Sequence, residues 1–236
     1  MKIAELRLQT DCLPAVKEFY TRRLGMQLAW ESAEDFALQC GHSRLVFESG
    51  QAAYYHFAFN IPSEAVAAAA DWLVALGIDL LPFEGNAIVP FPNWVAEAVY
   101  FHDPAGNIVE FIARKRLQIP FPAGGFKISQ IAGISEIGFP TTEPIQVRAA
   151  LQAQIGLAAF WCPAPTFCAL GDENGLLIVV DALEKRWIPT MAEAIPFPFS
   201  ATLHSPAEEW NLAWDGTKLA LHPSMDTGLG DQPRQG

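Results

Sequence analysis

Two stretches far apart in the chain share one plan. Glu5 opens "ELRLQTDCLPAVKEFYTRRLGM", which reads as a strand, a turn at Thr10 to Pro14, an amphipathic helix and a stop at Leu24-Gly25. Glu136 opens "EIGFPTTEPIQVRAALQAQIGL", with Ile155-Gly156 at the stop, and each glutamate stands 20 residues before its glycine. A third copy begins at His56 in "HFAFNIPSEAVAAAADWLVALGI", with Ser63 as helix N-cap and Gly77 as the stop. Short β-rich runs follow each helix: "FALQCGHSRLVFE", the hairpin around Glu110, and "FCALGDENGLLIVVD". The repeating unit is therefore βαβββ, and the fold class is α+β.

The chain has 236 residues, 51% of them hydrophobic, enough to bury a sizeable core. We expect a first domain at residues 1–115, made of modules 1–55 and 56–115. A Pro- and Gly-rich linker follows at 116–130, around "IPFPAGG", then a second domain at 131–223. The last module is truncated, because "FSATLHS" and "WDGTKLALHP" supply a first and a last strand with little room for a helix between them. A flexible tail at 224–236 ends the chain.

The formal net charge of −11, with 15 scattered basic residues, argues against a nucleic-acid partner, which needs clustered Lys and Arg. No apolar run reaches transmembrane length, so no membrane partner is expected. Lys2, Glu5, Arg7 and Asp11 interrupt the apolar core that a secretory signal needs, and the expected location is cytoplasmic. Cys12, Cys40, Cys162 and Cys168 show neither a CxxC pair nor disulfide-dense spacing, which reads as reduced, packed thiols.

Strand alternation sorts the side chains by face. Asp103-Pro104-Ala105-Gly106 has the residue preferences of a type I turn, and in the strand after it Ile108, Glu110 and Ile112 oppose Val109, Phe111 and Ala113. A carboxylate between two apolar faces is costly unless paired. Its partner is either a cation held in the site or a neighbouring arginine such as Arg114. Glu5 opposes Leu6 and Leu8 in the first strand, and His56 opposes Phe57 and Phe59 in the second module. If helices cover the apolar faces, Glu5, His56 and Glu110 meet in a common concavity. One imidazole and two carboxylates suit a divalent ion of the Zn, Ni, Mn or Fe type, with positions left for water or substrate.

"KEFYTRRLGM", "HFAFNIP" and above all "HDPAGNIVEF" resemble the vicinal oxygen chelate superfamily, which includes glyoxalase I, extradiol dioxygenases, fosfomycin thiol transferases and bleomycin-resistance proteins. The resemblance implies paired modules forming curved, cup-shaped mixed sheets with helices on the outer faces and metal ligands on first and last strands. His56 then matches a first-strand ligand and Glu110 a last-strand ligand, while Glu5 falls where His or Gln is usual. Phe47 stands at the fourth place, where glyoxalase I has a carboxylate, a departure from that member.

The implied activity is that of a metal-dependent enzyme, a glyoxalase-like lyase or isomerase or a dioxygenase, acting on a small molecule as monomer or homodimer. Glu5 and Glu110 are the candidate bases. The alternative is a non-catalytic binding protein of the bleomycin-resistance kind. Trp94, Phe91, Arg7, Asn60 and His102 are the candidate pocket residues, and Glu136, His204 and His222 form a rival set in the second half.

Overall fold

The structure is a computed structural model that describes residues 1–205 and 208–224; the expected tail beyond Ser224 lies outside the described residues. Module one runs β1 (Lys2–Thr10), α1 (Leu13–Glu18), β2 (Gln27–Glu31), β3 (Asp35–Cys40) and β4 (Ser43–Ser49). Module two runs β5 (His56–Ile61), α2 (Val66–Ala75), β6 (Val89–Phe91), β7 (Ala96–His102) and β8 (Ile108–Arg114). Module three runs β9 (Gly133–Thr141), α3 (Pro144–Ile155), β10 (Ala159–Ala164), β11 (Phe167–Asp172) and β12 (Gly175–Asp181). A small hairpin, β13 (Arg186–Trp187) and β14 (Ala192–Glu193), precedes β15 (Phe199–His204), β16 (Glu209–Trp214) and β17 (Leu219–Pro223), a fourth module without its helix.

Each full module is closed by a parallel pairing of its first and last strands: β1 with β4, β5 with β8, β9 with β12. The helices obey local chemistry. Pro144 starts α3, where a missing N–H leaves nothing unsatisfied, and Gly156 ends it at φ +75°, a conformation that a side chain resists. Ser63 departs from the expectation: α2 starts later, capped by Ala65. The Ser63 hydroxyl instead donates to the Arg114 carbonyl at 2.8 Å and accepts from the Ile119 N–H at 2.9 Å, tying the end of β8 to the following loop. α1 and α2 pack on their own modules and α3 on β9, β11 and β12, so the apolar strand faces are covered from outside. Within that core Phe111 meets Phe59, Phe101 and Phe126 at centroid distances of 6.0, 5.1 and 5.7 Å. Such aromatic pairs add about 0.5–1.5 kcal/mol each beyond their burial.

The modules do not pair in the order of the chain. β5 runs antiparallel beside β9, so modules two and three close on each other; β1 runs antiparallel beside β15, so module one closes on module four. The strand order therefore differs from the expected closing of 1–55 on 56–115. One ladder pair joins the strands of the two cups, Ile3 with Ile134, and side chains reinforce it: the Ser43 hydroxyl donates to the Ile3 carbonyl at 2.6 Å and accepts from the Ile134 N–H at 2.9 Å.

The cups differ in character. The concave side of the inner one, modules two and three, carries an apolar cluster that includes Trp94, Ala98, Tyr100, Ile112, Leu176, Ile178 and Trp187. The outer one presents Glu5, Arg7, Ser200, Thr202 and Asn211.

The cysteines depart from the expectation in part. Cys162 and Cys168 form a disulfide across the β10–β11 hairpin, whose turn brings their Cα atoms to 4.1 Å. Cys12 and Cys40 are free, and burial pushes the Cys40 thiol up to about 12.

Candidate functional site

The reversal at the end of β7 fixes one wall of the inner cup. Asp103 accepts hydrogen bonds from the N–H groups of Ala105 and Asn107, both at 3.0 Å, from the Asn107 amide at 2.7 Å and from the Tyr20 hydroxyl at 2.9 Å. The turn is thus anchored to the helical turn Phe19–Arg23 that follows α1. β8 leaves it with Ile108, Glu110, Ile112 and Arg114 in alternate positions, and β5 lies beside it with Ala58 opposite Glu110. On the far side of β5, Glu136 of β9 is also opposite Ala58.

His56, Glu110 and Glu136 therefore come together on one concave surface. His56 Nε2 and Glu110 Oε2 are 3.0 Å apart, and the phenol of Tyr100 stands across from Glu110. Arg114 is fully buried; its guanidinium donates to Glu136 and to the Ser135 hydroxyl at 3.2 Å and stacks on Trp94 at 5.2 Å.

Burial dominates the electrostatics. It raises Glu110 to about 7 against the opposing pull of Arg114 and Tyr100. It raises Glu136 to about 7 as well, helped by repulsion from Glu110 and opposed by Arg114. It lowers His56 to about 4, so the imidazole is neutral near pH 7. Two carboxyl groups whose affinity for protons is raised toward neutrality are suited to exchange them there.

Above this floor lies a cavity of about 250 Å³ whose walls include Phe91, Trp94, Trp161, Phe167, Ile178 and Trp187. The Trp187 ring stands edge-on to His56 at 5.0 Å. It fits there because residue 138, on the β9 face it covers, is glycine: a Cβ would stand 2.7 Å from the ring.

Of the residues expected from the sequence, His56, Glu110, Phe91 and Trp94 line this cavity. Glu5 and Arg7 do not reach it. They sit in the outer cup, where Glu5 pairs with Arg7 at 3.3 Å and Arg44 at 3.1 Å, because β1 is a strand of the other module pair. Asn60 is buried and donates to the Glu173 carbonyl at 2.9 Å. His102 is exposed beside the turn, with Nδ1 3.2 Å from the Asn107 carbonyl. Glu136 joins His56 and Glu110 rather than its expected companions: His204 pairs with Glu209, and His222 lines the outer cup.

Tyr100, Lys185 and Trp187 are participants that alternation did not select. Arg114, expected as the alternative partner of Glu110, lies on the same face four residues on but pairs with Glu136. Lys185 and Trp187 lie between modules, where no period operates.

The fourth place expected from the sequence is apolar in this cup too, as Phe47 is in module one. His56 and Glu136 occupy like positions, and the counterpart of Glu110 on β12 is Ile178, two residues past the Leu176–Glu136 pair. Three donors of suitable chemistry remain. Among the described residues no three His, Cys, Asp or Glu side chains converge as an ion would require, since Glu136 is turned to Arg114. One imidazole and two carboxylates suit a divalent ion in kind.

No protein-family model and no curated protein matches the chain. Solved structures do. A putative dioxygenase from Bacillus subtilis is similar with a TM-score of 0.58 and 15% identity over 76% of this chain and 63% of its own. A lactoylglutathione lyase from Agrobacterium tumefaciens is 25% identical, with a TM-score of 0.43 over 48% of this chain and 94% of its own. The fosfomycin resistance protein FosX from Mesorhizobium loti is 17% identical, with a TM-score of 0.35 over 47% of this chain and 88% of its own.

Proposed function

We propose that this chain, which has the fold of the vicinal oxygen chelate superfamily, is an enzyme that transforms a small molecule in the cup between modules two and three. The observation that carries the reading is the meeting of His56, Glu110 and Glu136 beneath one aromatic-walled cavity. In this reading the three side chains hold a divalent ion of the Zn, Ni, Mn or Fe type. Bound there, such an ion supplies Lewis-acid stabilisation of an oxygen anion on the substrate.

The chain's own groups do the rest. His56 and Glu110, 3.0 Å apart, stand close enough to act on one bound group. The Glu110 carboxyl, on the cavity wall, accepts and returns a proton at the substrate carbon or oxygen above it. Trp94, Phe91 and Trp187 exclude water and position an apolar body. Glyoxalase-like lyase or isomerase chemistry and dioxygenase chemistry both match this division of labour.

The engagement of Glu136 by Arg114 favours a second reading, in which the guanidinium is the resident cation and the cup binds a ligand without metal or turnover. Metal content by mass spectrometry, on protein purified without chelator, separates the two. We expect about one ion per chain, retained in Glu5→Ala and lost in His56→Ala, Glu110→Ala and Glu136→Ala while circular dichroism is unchanged. A wild type that stays empty after loading with Zn, Ni, Mn and anaerobic Fe(II) would establish the second reading instead.

A further inference from the structure

Residues 182–196 belong to no repeat, yet they complete the inner cup. The chain leaves β12, folds back as the β13–β14 hairpin and lays Lys185, Trp187 and Ile188 along the cavity. Lys185 is the cation on that wall. Its ammonium lies 5.2 Å from the Phe167 ring centroid and 5.7 Å from that of Trp187, so two aromatic faces hold the side chain over the cavity.

The neighbouring cations are matched: Arg114 with Glu136, and Arg186 with Glu193 at 3.1 Å. Lys185 has no carboxylate within ion-pairing distance among the described residues, although Glu110 and Glu136 line the same cavity. The side chain is half-buried, and burial lowers its pKa, the mark of an ammonium short of water. A half-buried cation in this state gains from an anion brought in by a ligand. In the cup without a bound ion, ionised Glu110 and Glu136 repel a negative group and Lys185 attracts it, which sets the direction of entry.

We propose that Lys185 is the anion-binding residue of the inner cup, and that the substrate is a small carboxylate with a ring-sized apolar body. The carboxylate lies against Lys185, the apolar body between Phe91, Trp94, Trp161 and Phe167, and the reacting neutral end over His56 and Glu110. This rests on the inner cup being the small-molecule site, and the orientation is argued for the cup without a bound ion, the state that chelator treatment gives.

Phenylacetate and its neutral isostere phenylacetamide test the inference on the full chain, followed by the tryptophan fluorescence of the cup in protein treated with chelator. Phenylacetate should bind at least about tenfold more tightly than the amide, a difference of about 1.4 kcal/mol. Lys185→Met should erase that preference by weakening phenylacetate alone, and Lys185→Arg should retain it.

Equal affinities for acid and amide, an unchanged preference in Lys185→Met, or no binding of either probe would overturn it. Metal content of Lys185→Met, measured in parallel on protein not exposed to chelator, should equal that of wild type. A failed metal reading and a failed anion reading therefore give different patterns.

Discussion

Replacing Arg114 by Met removes a guanidinium with no solvent exposure while keeping most of its apolar volume. Breaking a buried ion pair from one side costs about 3–5 kcal/mol, because Glu136 is left charged and unpaired. The lost bond to Ser135 adds about 1 kcal/mol. Relief of the terminal nitrogen that finds no partner, Nη1, offsets a similar amount. The net loss is therefore about 4 kcal/mol, but only where Glu136 is ionised.

Its folded-state value is raised from 4.5 to about 7, so in the wild type this carboxyl contributes stability below pH 4.5 that is lost as pH climbs through 7. Without Arg114 the folded value rises further, and the window of loss extends to higher pH. Urea unfolding in the presence of chelator, followed by tryptophan fluorescence, should show a difference between variant and wild type within about 1 kcal/mol at pH 5.5 that is larger by about 2 kcal/mol at pH 8.5, the most that one proton can add over the roughly 1.5 pH units above 7. Adding Glu136→Gln should return most of the loss at pH 8.5. A loss equal at both pH values, or one that the second substitution leaves untouched, refutes the claim that Arg114 acts by balancing Glu136.

Two smaller expectations concern the frame around the cup. Tyr20→Phe deletes a buried hydrogen bond to Asp103, whose other three bonds remain, and should lower stability by about 2 kcal/mol in the same urea assay; a change under about 0.5 kcal/mol would mean that the turn stands without it. In protein isolated without reductant, a thiol reagent should find two cysteines after denaturation, Cys12 and Cys40, and four after reduction; four at the outset would rule out the 162–168 bridge.

Local order was legible because it is written locally. Period-two alternation placed His56 and Glu110 on one face, and glycine marked the helix ends at 25, 77 and 156. The choice of partner module was not, because Glu5, His56 and Glu136 hold equivalent first-strand places and nothing near them says which two meet. What decides it is the match of concave faces across a whole sheet. Modules two and three are apolar there, through Tyr100, Ile112, Leu176 and Ile178, whereas module one presents Arg7 and module four Ser200 and Thr202. That substitution of partner exchanges Glu5 for Glu136 in the candidate site. Its one advance sign was "GLLIVVD", apolar on both faces and so matched to a strand buried on both.

The nested pairing of modules also sets an order in time. β1 is made first, yet its antiparallel neighbour β15 lies nearly 200 residues downstream. At about 5–20 residues per second a ribosome takes roughly 10–40 s to deliver it. Throughout that interval one side of β1 is an open edge, the kind of surface that invites pairing with another chain. The inner cup needs nothing beyond β12 for its two sheets. A chain ending near residue 195 and released from the ribosome would therefore carry the assembled floor of His56, Glu110 and Glu136 while its own first strand still lacked a partner.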